Sequence, residues 1–298
     1  MKKIPYLYSI VFVSCISSVF CTDNENYSFK TKLFDEENIG KEIKYHIDRE
    51  LSFNIPGTGY VKFVSSFNET IKYVGKKDEF YIIESTLTEI NLENIIANVK
   101  IMDYYWMAME GIPCHLYIYP SGSVHHVETV NDDHDYLLEA FEATFNGMFE
   151  KNYIYPFGIQ GVDKKIGDSW DGIDSPSDNC CDSSRFYFTM DSPPSFAWIE
   201  KTNKLKKVKD KKGGRKIATV KESTTLKLDV NIKMRFMDEE RFIKGRANGT
   251  LDGKWKWNIE GGGIISVRQV SNLQGDFEMD GETFVTKLSR NEYSKLLK

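Results

Sequence analysis

Two stretches of this 298-residue chain match one another, and that match limits the fold more than any other feature of the sequence. Trp257 to Val270, WNIEGGGIISVRQV, aligns with Tyr117 to Val130, YIYPSGSVHHVETV, 140 positions upstream. Val124 corresponds to Ile264, Val127 to Val267 and Val130 to Val270, and each stretch turns on a glycine, Gly122 or Gly262. An aromatic or branched run, a glycine turn and a returning branched run spell a β-hairpin. Its recurrence implies a β-rich unit present in duplicate. A weaker match supports this: the turn Gly75-Lys76-Lys77-Asp78 before Phe80 to Glu84 mirrors the basic turn around Gly213-Gly214 before Lys216 to Val220.

The rest of the chain reads as β-prone runs separated by turns. Ile43 to Ile55, Tyr60 to Val74 and Glu79 to Ile90 are three such runs, the first two split by Pro56-Gly57-Thr58-Gly59. Later runs cover Phe196 to Val208, Lys216 to Leu226, Thr225 to Phe236, Phe242 to Trp257 and Thr283 to Leu288. Aromatic residues at 13% suit strands better than helical bundles. One helix is expected, over residues 133–150. Asn131 or Asp132 can cap it, and Leu137, Phe141, Phe145 and Phe149 recur at helical spacing on one face. The domain reading is a leader (1–21), a polar tether (22–41), a first β-rich unit (42–173), a linker loop (174–182) and a second β-rich unit (183–298). The fold class is α+β and mostly β. It consists of two related, strongly curved antiparallel sheets, half-barrel-like, with one main helix packed on a sheet.

Lys2 and Lys3 precede an uncharged run from Ile4 to Cys21, the pattern of a secretory signal peptide. The lipoprotein version of that signal would place an acyl group on Cys15 and attach the chain to a membrane without spanning it. Three cysteines remain in the body, Cys114, Cys180 and Cys181, and in an oxidising compartment one of the adjacent pair can bond Cys114.

Familiar catalytic signatures are absent: H-E-x-x-H, a phosphate-binding Gly-rich loop and G-x-G-x-x-G do not occur. Gly167-Asp168-Ser169-Trp170 lacks the glycine that a nucleophile elbow needs two positions after its serine. His125, His126, Asp132, Asp133 and His134 carry zinc-ligand chemistry, yet adjacent strand residues point to opposite faces. The reading therefore assigns no catalytic residue, no metal and no cofactor. The net charge of −5 hides a basic stretch, Lys201 to Lys216, with nine cations and one acid. That stretch suits phosphate headgroups or an acidic partner, reads first as a solvated hairpin, and lacks the aromatic interleaving of a nucleic-acid platform. The apolar run with Tyr104, Trp106, Met107 and Met109, together with Phe141, Phe145 and Phe149, is either a filled core or the lining of an apolar ligand site.

Tyr155-Pro156-Phe157 and Gly167-Asp168-Ser169-Trp170, set between two β-rich halves, resemble a class of bacterial exported proteins of unknown function. The curved halves also look like periplasmic lipoprotein carriers, whose sheet and helix enclose an apolar cavity. These resemblances imply a non-enzymatic protein of the periplasm or outer cell envelope that binds an apolar ligand, a lipid or a protein partner. A hydrolase, metal-dependent or otherwise, built on the His125–His134 cluster and a purely structural surface protein are the alternatives.

Overall fold

Buried and exposed side chains alternate strictly from Val220 to Leu226 and from Leu251 to Trp257, within strands of up to 22 residues, which is what a sheet with one covered face requires. The computed structural model describes residues 25–55, 59–96, 99–101, 107–120, 122, 124–138, 141, 159–171, 195–236, 239–279 and 281–297. In order, the strands are β1 (Tyr27–Ser28), β2 (Glu42–Ile55), β3 (Gly59–Lys77), β4 (Phe80–Ile96), β5 (Val99–Ile101), β6 (Pro113–Ile118) and β7 (Val124–Thr129). They continue with β8 (Asp163–Lys164), β9 (Ser169–Asp171), β10 (Ser195–Lys211), β11 (Arg215–Phe236), β12 (Glu239–Asn258), β13 (Gly263–Met279) and β14 (Glu282–Leu296).

Two antiparallel meanders are fused edge to edge. The order is β7-β6-β4-β3-β2-β14-β13-β12-β11-β10-β9, with β5 beside β4, while β1 and β8 form a small separate pair. The joint is the pairing of β2 with β14, in register from Leu288↔Phe53 to Leu296↔Tyr45. Two separate curved sheets were expected; one continuous twelve-stranded sheet is found. Nothing in either run of β-prone residues announces that its outer strand will pair with the other's.

The expected main helix is also overturned. Among the described residues 73% lie in strands and 7% are helical, and no helix reaches seven residues, so the fold is essentially all-β rather than α+β. The capping expectation holds locally, since Asn131 accepts a hydrogen bond from the Asp133 N–H at 3.1 Å. The capped segment, Asp132–Leu137, is a 3-10 turn, a form common where a helix begins, and the residue after it, Leu138, is α-helical. Leu137 and Phe141 are buried in the core, whereas Phe145, Phe149 and the rest of 142–150 lie outside the described residues.

A third correction concerns the tether. Tyr27, Phe29, Thr31 and Leu33 are buried in strict alternation with exposed Ser28, Lys30 and Lys32. The segment straddles the two meanders: Phe29 packs on Trp257 with ring centroids 6.3 Å apart, and Phe34 packs on Tyr73 at 5.3 Å. Lys216 ties its start down through Glu25, and Gly40 donates to the Tyr73 carbonyl at 2.8 Å.

The matching stretches are both hairpins, β6–β7 and β12–β13, and each carries a bulge near its turn. His126 pairs Tyr117 and Val124 pairs Ile118, leaving His125 extra; Ser266 pairs Lys256 and Ile264 pairs Trp257, leaving Ile265 extra. His125 and Ile265 are 140 positions apart, as the sequence match requires, but on the leading strands the partners are Ile118 and Trp257, so the second turn is one residue longer.

Close strand approach is concentrated in β12 and β13. A Cβ at Gly249 would lie 1.9 Å from the Asn272 carbonyl oxygen, and one at Gly275 would lie 2.0 Å from that of Arg246. Long, strongly twisted strand pairs need such bare positions. Gly249→Val should cost about 1–3 kcal/mol through overpacking, read as a lower denaturant midpoint; an unchanged midpoint would show that the two strands do not approach this closely.

Candidate functional site

The covered face carries two apolar clusters with a polar band between them. The larger cluster includes Ile47, Phe67, Ile71, Ile83, Leu116, Val220, Trp255, Trp257 and Val267, and the smaller comprises Leu226, Ala247, Leu251, Leu273 and Phe277. Strand register lines up the band: Asn203, Glu222, Gly253, Gln269, Glu292, Arg49 and Ser65 are successive cross-strand neighbours from β10 to β3. Neighbours in register share a face, so single polar positions in six strands, with Gly253 between two of them, become one transverse row.

Two carboxylates hold the row together. Glu222 accepts from Trp255 Nε1 at 2.8 Å and from Gln269 Nε2 at 2.9 Å, and its other oxygen lies 3.3 Å from Lys201 Nζ. Lys201 therefore points inward with a side chain 9% exposed, unlike the solvated lysines that come after it on β10. Glu292 sits between two guanidiniums across the joint, 3.2 Å from Arg49 Nε and 2.5 Å from Arg290 Nη2. Burial is the largest influence on its carboxyl and pushes the pKa up, but Arg49 and Arg290 together outweigh it and hold the group below the ordinary carboxylate range. Asn203 Nδ2, Thr224 Oγ1 and Ser294 Oγ are buried in or beside the band without a hydrogen-bond partner. Such groups carry a desolvation cost that a polar ligand atom or a water would relieve.

At the end of the joint the strands open into a cleft of about 530 Å³. Ile43, Tyr45, Ile264, Ile265 and Leu296 form mostly apolar walls, and Glu42, Lys44 and Asn258 supply polar groups. Both meanders contribute, so the cleft exists only because β2 and β14 are paired. Burial, then the neighbouring Glu69 charge, raise the Tyr45 phenol far above its ordinary value, so it remains a neutral hydroxyl.

The histidine-rich corner is differently arranged from the sequence reading. The bulge at His125 rotates its ring toward its neighbour, and the His125 and His126 centroids are 4.9 Å apart instead of on opposite faces. His125 stacks on Phe80 at 4.5 Å, and His126 stacks on Tyr117 at 4.0 Å. Glu128 accepts from the Tyr117 hydroxyl at 2.6 Å, which holds its carboxyl below the usual range, while burial and then that same carboxylate push the Tyr117 phenol up to about 12. His134 contacts Tyr136 instead, with ring centroids 6.3 Å apart. Among the described residues, no three His, Cys, Asp or Glu side chains gather as a metal site.

Of the proposed apolar lining, Met109 and Phe141 are fully buried in the larger cluster and Met107 is 45% exposed. Tyr104, Trp106, Phe145 and Phe149 lie outside the described residues, as do Cys15, Cys180, Cys181, the leader and the linker 174–182. Cys114 is buried on β6 within the same cluster. The Gly167-Asp168-Ser169-Trp170 turn has a structural role: Gly167 takes φ 97°, Asp168 Oδ2 accepts from the Lys165 N–H at 2.8 Å, and β9 adds to the edge of β10.

No family model matches the chain, and no curated protein matches it by sequence. Among solved structures, it is similar to one titled for lipid–protein interactions in lipovitellin, with a TM-score of 0.44 and 11% identity. That alignment covers 87% of this chain and 25% of the other, so the chain spans about a quarter of the protein it matches. A likeness this loose carries no functional argument. The resemblance to exported bacterial proteins thus reduces to a β-rich sheet architecture.

The lowered Glu292 pKa sets a pH dependence. Ionised, this group stabilises the fold above the ordinary value of 4.5, and the contribution disappears as pH falls through the lower folded-state value. Urea unfolding should show stability falling as pH drops below 4.5 and through that lower value. Glu292→Gln should lose about 3–5 kcal/mol near neutrality, leaving Arg49 and Arg290 buried without their counter-ion, and should show a flatter acid limb. An acid limb identical to that of the unmodified protein would remove Glu292 from this role.

Proposed function

We propose that this chain is a non-enzymatic binding protein that takes a small apolar or amphipathic molecule in the cleft where the two meanders join. The observation that carries this reading is the cleft itself: about 530 Å³, apolar along Ile43, Ile264, Ile265 and Leu296, with charged Glu42 and Lys44 among its lining residues. That volume falls within the range of small-molecule sites, and apolar walls with a few polar groups are the usual composition of such sites. A ligand with an apolar body and a polar end would place its body on the isoleucines and its end toward Lys44 and Asn258. The leader at 1–21 belongs to the same proposal, with the protein working outside the cytoplasm at the cell envelope.

Gly263 offers a direct test. It lines the cleft, and a Cβ added there meets only the Gly261 carbonyl oxygen, at 4.0 Å, so Gly263→Trp can fill the space without displacing the sheet. A fluorescent fatty acid should bind the unmodified protein saturably. The tryptophan variant should bind roughly tenfold more weakly or worse, a loss of about 1.4 kcal/mol, with an unchanged circular dichroism spectrum. Failure of the unmodified protein to bind such probes, or equal binding by the filled variant, would contradict the reading.

A further inference from the structure

Opposite the covered face, strand register assembles a second row that the linear sequence disperses over 65 positions. Lys204 on β10 pairs with Lys221 on β11, Lys221 with Lys254 on β12, and Lys254 with Arg268 on β13. One register step along lie Lys207, Thr219, Lys256, Ser266 and Lys295, again successive neighbours from β10 to β14. All seven cations are exposed. Among the described residues none of the seven has an ion-pair partner, and the acid next to them on β12 is Asp252, on the other side of Lys254.

Like charges placed directly opposite each other across a sheet destabilise it. The first meander avoids this on its own outer face, where Lys72 and His115 flank Glu84 and Lys62 pairs with Glu50. The second meander stacks four cations in one row and three in the next, in a protein whose net charge is −5. An arrangement that opposes folding and is confined to one face calls for an anionic counterpart outside the chain.

We infer that the outer face of β10–β14 docks on an anionic phospholipid surface. The geometry favours a plane of phosphates over a thread of them. Charges repeat about every 4.8 Å across the strands and about every 6.8 Å along them, giving a two-dimensional lattice rather than a groove. A nucleic-acid strand would instead need a tracking channel with stacking rings, and among the described residues the first row carries a single ring, Tyr293 on β14, opposite Arg268. At that end of the row an amphipathic ring suits the headgroup level of a bilayer. Six of the seven cations are lysines, compact point charges on flexible stems that adapt to mobile headgroups without a fixed bidentate geometry. The surplus negative charge of the rest of the molecule orients this face toward the membrane. This proposal is independent of the cleft, which lies at the end of the joint and is lined by other residues.

The test is co-sedimentation of the full chain with phosphatidylserine-containing vesicles, with pure phosphatidylcholine vesicles as the neutral arm. Binding should be confined to the anionic vesicles and fall steeply with salt. Lys221→Gln with Lys254→Gln should weaken it roughly thirtyfold, on the usual contribution of each basic residue near such a surface. Thermal stability should stay the same or rise, because two like-charge neighbours are removed, and this separates lost docking from lost folding. Lys204→Gln with Arg268→Gln should give the same loss from the two ends of the row. Equal binding to neutral vesicles, no binding to either, an unweakened double variant, or tighter binding to single-stranded nucleic acid than to the anionic vesicles would overturn the inference.

Discussion

Everything in this fold depends on the antiparallel pairing of β2 with β14. Without it the two meanders would each present an open edge strand, a row of unpaired backbone donors and acceptors prone to pair with other chains. With it, one sheet runs unbroken from β7 to β9, and both apolar clusters and the band between them lie on the same face. The Arg49–Glu292 pair sits at the middle of this joint as direct cross-strand partners. A one-residue slip would oppose Arg49 to Asn291 or Tyr293 and strand a buried charge, at a cost of several kcal/mol. A pair of apolar residues there would bury as well but would not discriminate one register from the next. The ion pair thus acts on specificity of register more than on net stability.

The same register logic yields two surfaces of opposite character. Inward, it collects Lys201, Glu222, Gln269, Glu292 and Arg49 into a neutralised band whose members satisfy one another. Outward, it collects Lys204, Lys221, Lys254 and Arg268 into a row with no internal compensation. Lys201 and Lys204 are three residues apart on one strand, and the face each occupies decides whether its charge is buried and paired or exposed and available. The segment at 25–39 then ties both meanders together from the side, through Phe29 on Trp257 and Phe34 on Tyr73.

Much of the strand content was legible, because period-two alternation and glycine turns are local signals. The runs at 43–55, 60–74 and 242–257 and the two matching hairpins appear in the structure as strands. Partner choice was not legible, since it rests on contacts between residues more than 200 positions apart, such as Arg49 and Glu292. For the same reason the charged bands were invisible: each strand contributes one member, and a lone Lys or Glu in an alternating run reads as solvent-facing. Of the Leu137-Phe141-Phe145-Phe149 spacing, Leu137 and Phe141 are buried together in the larger cluster, while Phe145 and Phe149 lie outside the described residues. The tether reading failed on composition, where Lys30, Lys32 and neighbouring acids outweighed the alternation of Tyr27, Phe29, Thr31 and Leu33.

The single continuous sheet is tested most directly by a covalent link across the joint. Glu50 and Asn291 are paired in register on the outer face, close enough for a disulfide between substituted cysteines. A Glu50→Cys/Asn291→Cys double variant should form that intramolecular bond under mild oxidation, identified by peptide mass mapping, with the circular dichroism spectrum unchanged. Recovery of both thiols unbonded, or bonded only between molecules, would show that the two meanders are separate bodies and contradict the account.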